Sequence, residues 1–327
     1  YKTQPLVYGN KEASLHDIGD GVLCLEFHSK MNAIGSGTLA AINRSVEMAE
    51  SEGWKGLVIG NDAPNFSAGA NLAMMLMLAI EQEFDELNVA IKYFQNTVMR
   101  LRYSSIPVVI APHGLTLGGG CEMTLHADSA VASAETYIGL VEAGAGLIPG
   151  GGGTKEFVLR TSDGFTAIDP QLPALQDRFT TIATAKVATS AHEAFEIGVM
   201  HNDKDEVVVN GQRVIAEAKR KVIELSNDGY VQKPERDDIL VLGRTALGAL
   251  YSGIESFGIS NYASEHDQLI ARKLAFVMAG GDFTQPTQVT EQYLLNLERE
   301  AFLSLLGERK TLQRIQHILK TGKPLRN

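Results

Sequence analysis

Gly114-Leu-Thr-Leu-Gly-Gly-Gly-Cys-Glu122 ends in a carboxylate placed directly behind a glycine-built turn. A triple glycine lets backbone N–H groups come very close to a ligand. A helix starting at that turn sets the same N–H groups at the positive end of its dipole. One turn of backbone can then polarise a carbonyl oxygen while Glu122 handles a proton beside it. A second carboxylate, Glu142, stands in another glycine-flanked stretch, Gly139-Leu-Val-Glu-Ala-Gly-Ala-Gly-Leu-Ile-Pro-Gly150. The question this raises is whether the two glutamates work together.

Outward from this stretch the chain alternates strand-like and helix-like segments. Gly21–Phe27 reads as a strand, Thr38–Glu50 has helical periodicity, and Gly56–Gly60 is a short buried-strand run. Residues 72–103 read as one or two helices and Pro107–Pro112 as another buried strand. That rhythm implies an α/β core of parallel strands covered by helices. Residues 161–177 carry Asp-Gly, Asp-Pro and Leu-Pro breaks and read as an irregular excursion. From about Ala183 the pattern is almost wholly helical, with Gly280-Gly281 and Pro286 marking a break before the last stretch from Glu291. The expected division is a core over 8–200, with the excursion at about 161–182, and a helical C-terminal region over 201–327.

Composition narrows the function classes. The formal charge of −10 argues against nucleic acid or an anionic membrane as the main partner, while leaving room for an anionic small molecule on a local basic patch. Cys24 and Cys121 are the only cysteines, so no disulfide framework or CxxC metal site is available, which suits a cytoplasmic location. No apolar run is long and clean enough to span a bilayer, and no signal peptide is visible. The start at Tyr1 suggests a piece cut from something longer. His113 and His126 flank the first motif without forming a metal pair, and Pro149-Gly-Gly-Gly-Gly-Thr-Lys155 lacks the spacing of a phosphate-binding loop. No serine nucleophile elbow is present.

Four motifs in order resemble the crotonase superfamily of acyl-CoA enzymes. Lys30-Met-Asn-Ala33 is similar to the turn that holds the CoA adenosine, and Asn65-Phe-Ser-Ala-Gly-Ala-Asn-Leu72 to the first oxyanion loop. Gly114–Glu122 is similar to the second oxyanion loop with its glutamate, and Glu142 through Pro149-Gly150 to the segment with a second glutamate. The resemblance implies a ββα spiral core with a helical C-terminal region. It also implies backbone N–H donors at Ala70 and Gly119 that stabilise the enolate oxygen of a thioester. Contacts to CoA and acyl group are implied at Lys30, Met31, Asn32, Ala68, Gly69, Asn71, Leu72, Gly118 and Gly150. Glu122 would activate water for attack at the β carbon and Glu142 would deliver a proton to the α carbon, a lyase reaction giving 3-hydroxyacyl-CoA. No metal or redox cofactor is implied; coenzyme A enters only as part of the substrate.

The resemblance narrows further. Glu142–Glu156, Ser264-Glu-His-Asp267, Leu297-Glu-Arg-Glu-Ala-Phe-Leu-Ser-Leu305 and Thr321-Gly-Lys-Pro-Leu-Arg-Asn327 are similar to the C-terminal half of bacterial fatty-acid-oxidation proteins named 3-hydroxyacyl-CoA dehydrogenase. With no G-x-G-x-x-G after a strand, the NAD-binding half is expected to be absent from this chain. Asn71 stands where the family usually has aspartate, and the lysine common soon afterwards is replaced within Ala73-Met74, which puts one CoA-phosphate contact in question. Leu72–Ile80, rich in methionine, suits either an adaptable acyl pocket or a core helix. Arg309, Lys310, Arg314, Lys320, Lys323 and Arg326 are either CoA-phosphate contacts or a solvated basic helix end. Two alternatives stand beside the hydratase: a Δ3-Δ2 enoyl-CoA isomerase, and an acyl-CoA-binding module docked to a fused dehydrogenase half. The resemblance implies either a homo-oligomer, a trimer or hexamer, or association with a fused dehydrogenase half.

Overall fold

The structure is a computed structural model that describes residues 4–166, 168 and 170–327. Along the chain run β1 (Leu6–Gly9), β2 (Ala13–Asp17), β3 (Val22–Phe27), α1 (Ser36–Ser51), β4 (Gly56–Ile59), α2 (Leu72–Ile80), α3 (Phe84–Arg102) and β5 (Val108–Ile110). Next come β6 (Gly114–Leu117), α4 (Gly119–His126), β7 (Ser129–Ser133), β8 (Thr136–Gly139), α5 (Gly153–Asp163), α6 (Gln171–Ala183) and α7 (Ala191–Glu196). The remainder is β9 (Glu206–Val208), α8 (Val214–Asn227), β10 (Ile239–Val241), α9 (Gly243–Ile259), α10 (Glu265–Met278), β11 (Thr287–Val289), α11 (Glu291–Leu306) and α12 (Arg309–Thr321).

Contacts group these elements into two compact units. The first takes residues 1–71, 93–139 and 187–234; the second takes 72–92, 140–186 and 235–327. Both draw on three separate stretches, so they run across the expected cut at 200/201.

The first unit holds a seven-stranded sheet in the order β1-β2-β3-β4-β5-β7-β9. The β1-β2-β3 ladder is antiparallel, and from β3 through β4, β5 and β7 to β9 the pairing is parallel. Strand alternation sends Leu23, Leu25, Leu57 and Ile59 to one face, where they meet Ile42 and Val46 of α1 and Val98 of α3. Val22, Cys24 and Val58 point to the opposite face, against Val214, Ala218 and Val222 of α8. A strand buried on both faces needs no polar alternation, which is why β3 and β4 read as near-continuous apolar runs. Each large aliphatic side chain so buried contributes about 1.5–3 kcal/mol. Burial also pushes the Cys24 thiol up to about 12, so it stays a protonated core residue. A separate parallel pair, β6-β8, carries the Gly114–Leu117 segment.

The second unit is helical apart from the antiparallel β10-β11 pair, whose strands are separated in sequence by α9 and α10. One expectation from the sequence changes here. The stretch 161–177 is not an excursion throughout, because α5 extends to Asp163 and α6 begins at Gln171. Pro173 sits in the first turn of α6, where its missing N–H has no intrahelical acceptor to lose. Asp169 of the Asp-Pro pair lies outside the described residues. The region after Ala183 is mainly helical, as expected, with three short strands inserted: β9 pairs with β7 at the edge of the main sheet, and β10 and β11 pair with each other. Three-residue strands are too short to leave a period-2 signal. Among the described residues no helix is long and apolar enough to cross a membrane.

Candidate active site

In the first unit three loops are stitched together by backbone. The Ala68 N–H donates to Met31 O (3.1 Å), Ile34 N–H to Gly69 O (2.8 Å), Asn71 N–H to Ile34 O (3.2 Å) and Leu117 N–H to Ser67 O (3.0 Å). Buried Ser67 links two of them, its Oγ donating to Asn32 O (2.8 Å) and accepting from the Gly69 N–H (3.1 Å). Asn32 Nδ2 donates to Asn65 O, and Asn65 Oδ1 accepts from the Leu115 N–H. Met31 and Asn32 both take left-handed backbone, at φ 57° and 49°, an uncommon strain for side-chain-bearing residues. The turn expected to hold CoA is thus held against both later loops.

Gly69 is the point of closest approach. Its φ is +93°, and a Cβ there would lie 2.9 Å from Leu117 O and 3.3 Å from Gly119 N. Only glycine fits, for both conformation and space. The bonds to Ile34 use the residues on either side of Ala70, so strand alternation turns the Ala70 N–H away from Ile34. Gly119 opens α4, so its N–H is one of the first four helix donors, without an i−4 carbonyl to serve. Two N–H donors therefore come from loops in van der Waals contact. Glycines 119 and 120 continue the close fit: a Cβ on either would lie 2.9 Å from Phe94 or Ser67 respectively.

Glu122 lies in the first turn of α4, 4% exposed, with its N–H bonded to Gly118 O (2.8 Å). A carboxylate in that place is favoured by the helix dipole. His126 donates from Nδ1 to Glu122 O (2.7 Å), a carbonyl that can only accept, so this buried histidine has a structural bond. Ala68, Lys30 and Met31 are exposed, Gly69 and Gly118 buried, and Ala70 and Asn71 half-buried.

The other expected site residues, Leu72, Glu142 and Gly150, belong to the second unit. Glu142 is half-buried and opens a short 3-10 turn, Glu142–Ala145, closed by Gly146 at φ +86°. Gly150 is buried, and a Cβ there would lie 2.6 Å from the Phe302 ring. The glycine run that follows is not an anion cradle. The carboxylate of fully buried Glu298 accepts from the Gly152 N–H (2.6 Å) and the Lys155 N–H (3.0 Å), filling the start of α5 from within the chain. Lys155 is buried between Glu156 (2.6 Å) and Glu291 (2.7 Å). Nothing in the pattern of Leu297–Leu305 signals this role for Glu298, because its partners lie more than a hundred residues earlier.

Two surface features bear on ligand size. Helix α2 is all apolar yet buries only Ala79. Ala73, Leu76, Met77 and Ile80 line a cavity of about 360 Å³ together with Glu81 and Leu319 of α12. The plain-core reading of this helix is therefore replaced by a lined surface cavity. A larger cavity of about 760 Å³ in the first unit, touching Asn61, His113, Ser133 and Lys219, contains none of the expected site residues. Of the basic C-terminal residues, Arg314 is 1% exposed and bonded within the unit, so it is no phosphate contact; Arg309, Lys310, Lys320, Lys323 and Arg326 are exposed.

Residues 17–162 match the family model described as enoyl-CoA hydratase/isomerase, and that stretch belongs to the crotonase superfamily. It is 47% identical over 326 residues to a Bacillus subtilis protein named as a probable 3-hydroxyacyl-CoA dehydrogenase, matching 100% of this chain and 41% of that protein. A Rickettsia felis protein, provisionally named a fatty acid oxidation complex trifunctional enzyme, is 25% identical over 89% of this chain and 37% of its own length. The chain thus spans about two fifths of the curated relatives it matches. Its fold is similar to that of an enoyl-CoA hydratase/isomerase from Xanthobacter autotrophicus Py2, with a TM-score of 0.61 at 19% identity over 96% of this chain and 95% of the other.

Proposed function

We propose that this chain is an enoyl-CoA hydratase region of a fatty-acid β-oxidation protein, adding water to a trans-2-enoyl-CoA. The observation that carries this reading is the contact of Gly69 with Gly119, which brings the Ala70 and Gly119 N–H donors into neighbouring loops beside buried Glu122. Donors aimed at a thioester oxygen stabilise the negative charge it gains in the transition state. In the proposed reaction Glu122 takes a proton from water as its oxygen bonds to the β carbon. The C=C electrons move into the thioester enolate, held by the two N–H groups. Glu142 then protonates the α carbon, and the carbonyl re-forms. The proton taken up by Glu122 then passes through solvent to Glu142, which starts the cycle protonated, so both carboxyls are reset and the elements of water end on the α and β carbons; the proposed reaction calls on no metal or redox group.

The family's acyl-CoA thioesters suit the exposed Lys30-Met31 turn as a CoA contact. The relatives named 3-hydroxyacyl-CoA dehydrogenase and fatty acid oxidation complex trifunctional enzyme are more than twice as long as this chain, which supports reading it as one region of a longer protein whose dehydrogenase activity lies in the remainder. Crotonyl-CoA hydration, followed by loss of enoyl-thioester absorbance, tests the reading. A purified chain that binds acyl-CoA but hydrates neither short nor long enoyl-CoAs is a docking module instead. One that shifts a 3-enoyl to a 2-enoyl thioester without adding water is an isomerase.

A further inference from the structure

The turn bearing Glu142 is short, glycine-rich and half-buried; backbone bonds from the Gly144, Gly146 and Leu147 N–H groups shape it, but its glycines and alanines offer no side-chain hydrogen bonds. Within the second unit, α12 supplies what the local sequence lacks. Thr311 Oγ1 donates to Gly146 O (2.8 Å) and Arg314 Nη1 to Ala143 O (3.3 Å), so two carbonyls of the turn are held by side chains one turn apart on a single helix. The contact is tight: a Cβ on Gly146 would lie 2.9 Å from both Thr311 Cα and Oγ1.

Helix α12 is itself tied down at the start of α10. His266 Nε2 lies 2.9 Å from Thr311 Oγ1, whose proton already goes to Gly146 O, so the imidazole donates. Arg314 Nη2 bonds Asp267 Oδ1 (2.7 Å), and Arg314 Nε bonds Asn327 Oδ1 (2.9 Å). Asp267 is locked in turn by a reciprocal capping box with Ser264. Thr311 is fully buried, Arg314 1% exposed and His266 3% exposed. Burial this complete, with Thr311 Oγ1, His266 Nε2 and the Arg314 guanidinium nitrogens aimed at partners, makes the arrangement stiff.

We infer that His266, Thr311 and Arg314 are positioning residues that set the direction of the Glu142 carboxylate through the peptide planes of its turn. This rests on the hydratase reading of Glu142. Two of the C-terminal motifs that accompany the site in sequence, Ser264–Asp267 and Thr321–Asn327, thereby acquire one shared task. They brace a turn more than a hundred residues earlier.

The test compares Thr311→Val, which keeps shape but removes the hydroxyl, with Thr311→Ser, which restores it. Expected for Thr311→Val is a kcat for crotonyl-CoA lowered about 10- to 100-fold with KM nearly unchanged, and faster amide exchange confined to residues 142–147; Thr311→Ser should recover both. Arg314→Lys, which keeps the charge toward Asp267 but cannot also reach Ala143 O, gives the second reading should Thr311→Val fold poorly, and the same kcat and exchange pattern is expected. Unchanged turnover and exchange in both variants, or a loss that Thr311→Ser fails to restore, overturns the inference. A wild-type chain inactive toward enoyl-CoA sinks the hydratase reading instead; the exchange of residues 142–147 then decides the brace by itself.

Discussion

Two glutamates in glycine-flanked turns are built by opposite means. Glu122 owes its place to backbone: a helix starting at Gly119, a loop pressed onto it at Gly69, and glycines where no Cβ fits. Glu142 owes its place to side chains from far along the chain, with Thr311 and Arg314 on the turn and Glu298 on the helix that follows. The difference teaches that one residue type in one kind of sequence setting can be held by local sterics or by tertiary bracing. The two respond differently to mutation.

The largest effect tests whether the contrast ends at the chemistry. Glu122→Gln and Glu142→Gln should each lower hydration of crotonyl-CoA about 10²–10⁴-fold while CoA affinity stays nearly intact. A Glu142→Gln enzyme with near-normal turnover would break the two-carboxylate mechanism. Next comes Gly69→Ala, whose methyl meets backbone that cannot yield. The Ala70 donor is displaced from Gly119, and kcat/KM should fall about 10²–10³-fold. Full activity in Gly69→Ala would remove the oxyanion assignment.

Gly150→Ala sharpens the comparison, because its methyl meets the Phe302 ring rather than backbone. It should cost about 1–3 kcal/mol in urea denaturation, and Phe302→Leu should recover part of that loss in the double variant. No second-site change of side chain is expected to rescue Gly69→Ala. If Phe302→Leu adds to the damage, side chains do not carry this part of the second unit.

The smallest effect concerns pH. Burial, with Arg314 and Lys310 nearby and only Asp267 opposing, lowers His266 from 6.5 to about 4. Between those values the unfolded chain binds a proton that the folded chain refuses. The stabilising contribution is therefore complete above about 6.5 and is lost as pH falls toward 4. Thermal melts at pH 7.5 and 4.5 should show a smaller drop in Tm for His266→Gln than for wild type. Equal drops would remove His266 as a source of acid sensitivity.

The parallel strands and α3 were legible because their signal is carried within a few residues: apolar runs for two-sided burial and 3.6-residue periodicity for the helix. The short strands β9, β10 and β11 were not, since three residues carry no period and their pairing partners lie elsewhere. The Leu-Pro pair at Pro173 misled for a different reason: proline stops a helix in its interior but is accepted in its first turn, and only the structure shows which applies. Arg314 was counted among surface cations because its charge is visible in sequence and its partners are not.

What the sequence determined by itself is the Glu122 turn and its family, since a demand for glycine is a steric property written at the position where it acts. Only the tertiary structure decided how the Glu142 turn is held and what fills the glycine-rich helix start after it. The groups responsible stand 146 to 171 residues downstream. A hydrogen bond across that distance leaves no spacing to read, because it depends on where the fold carries each end of the chain.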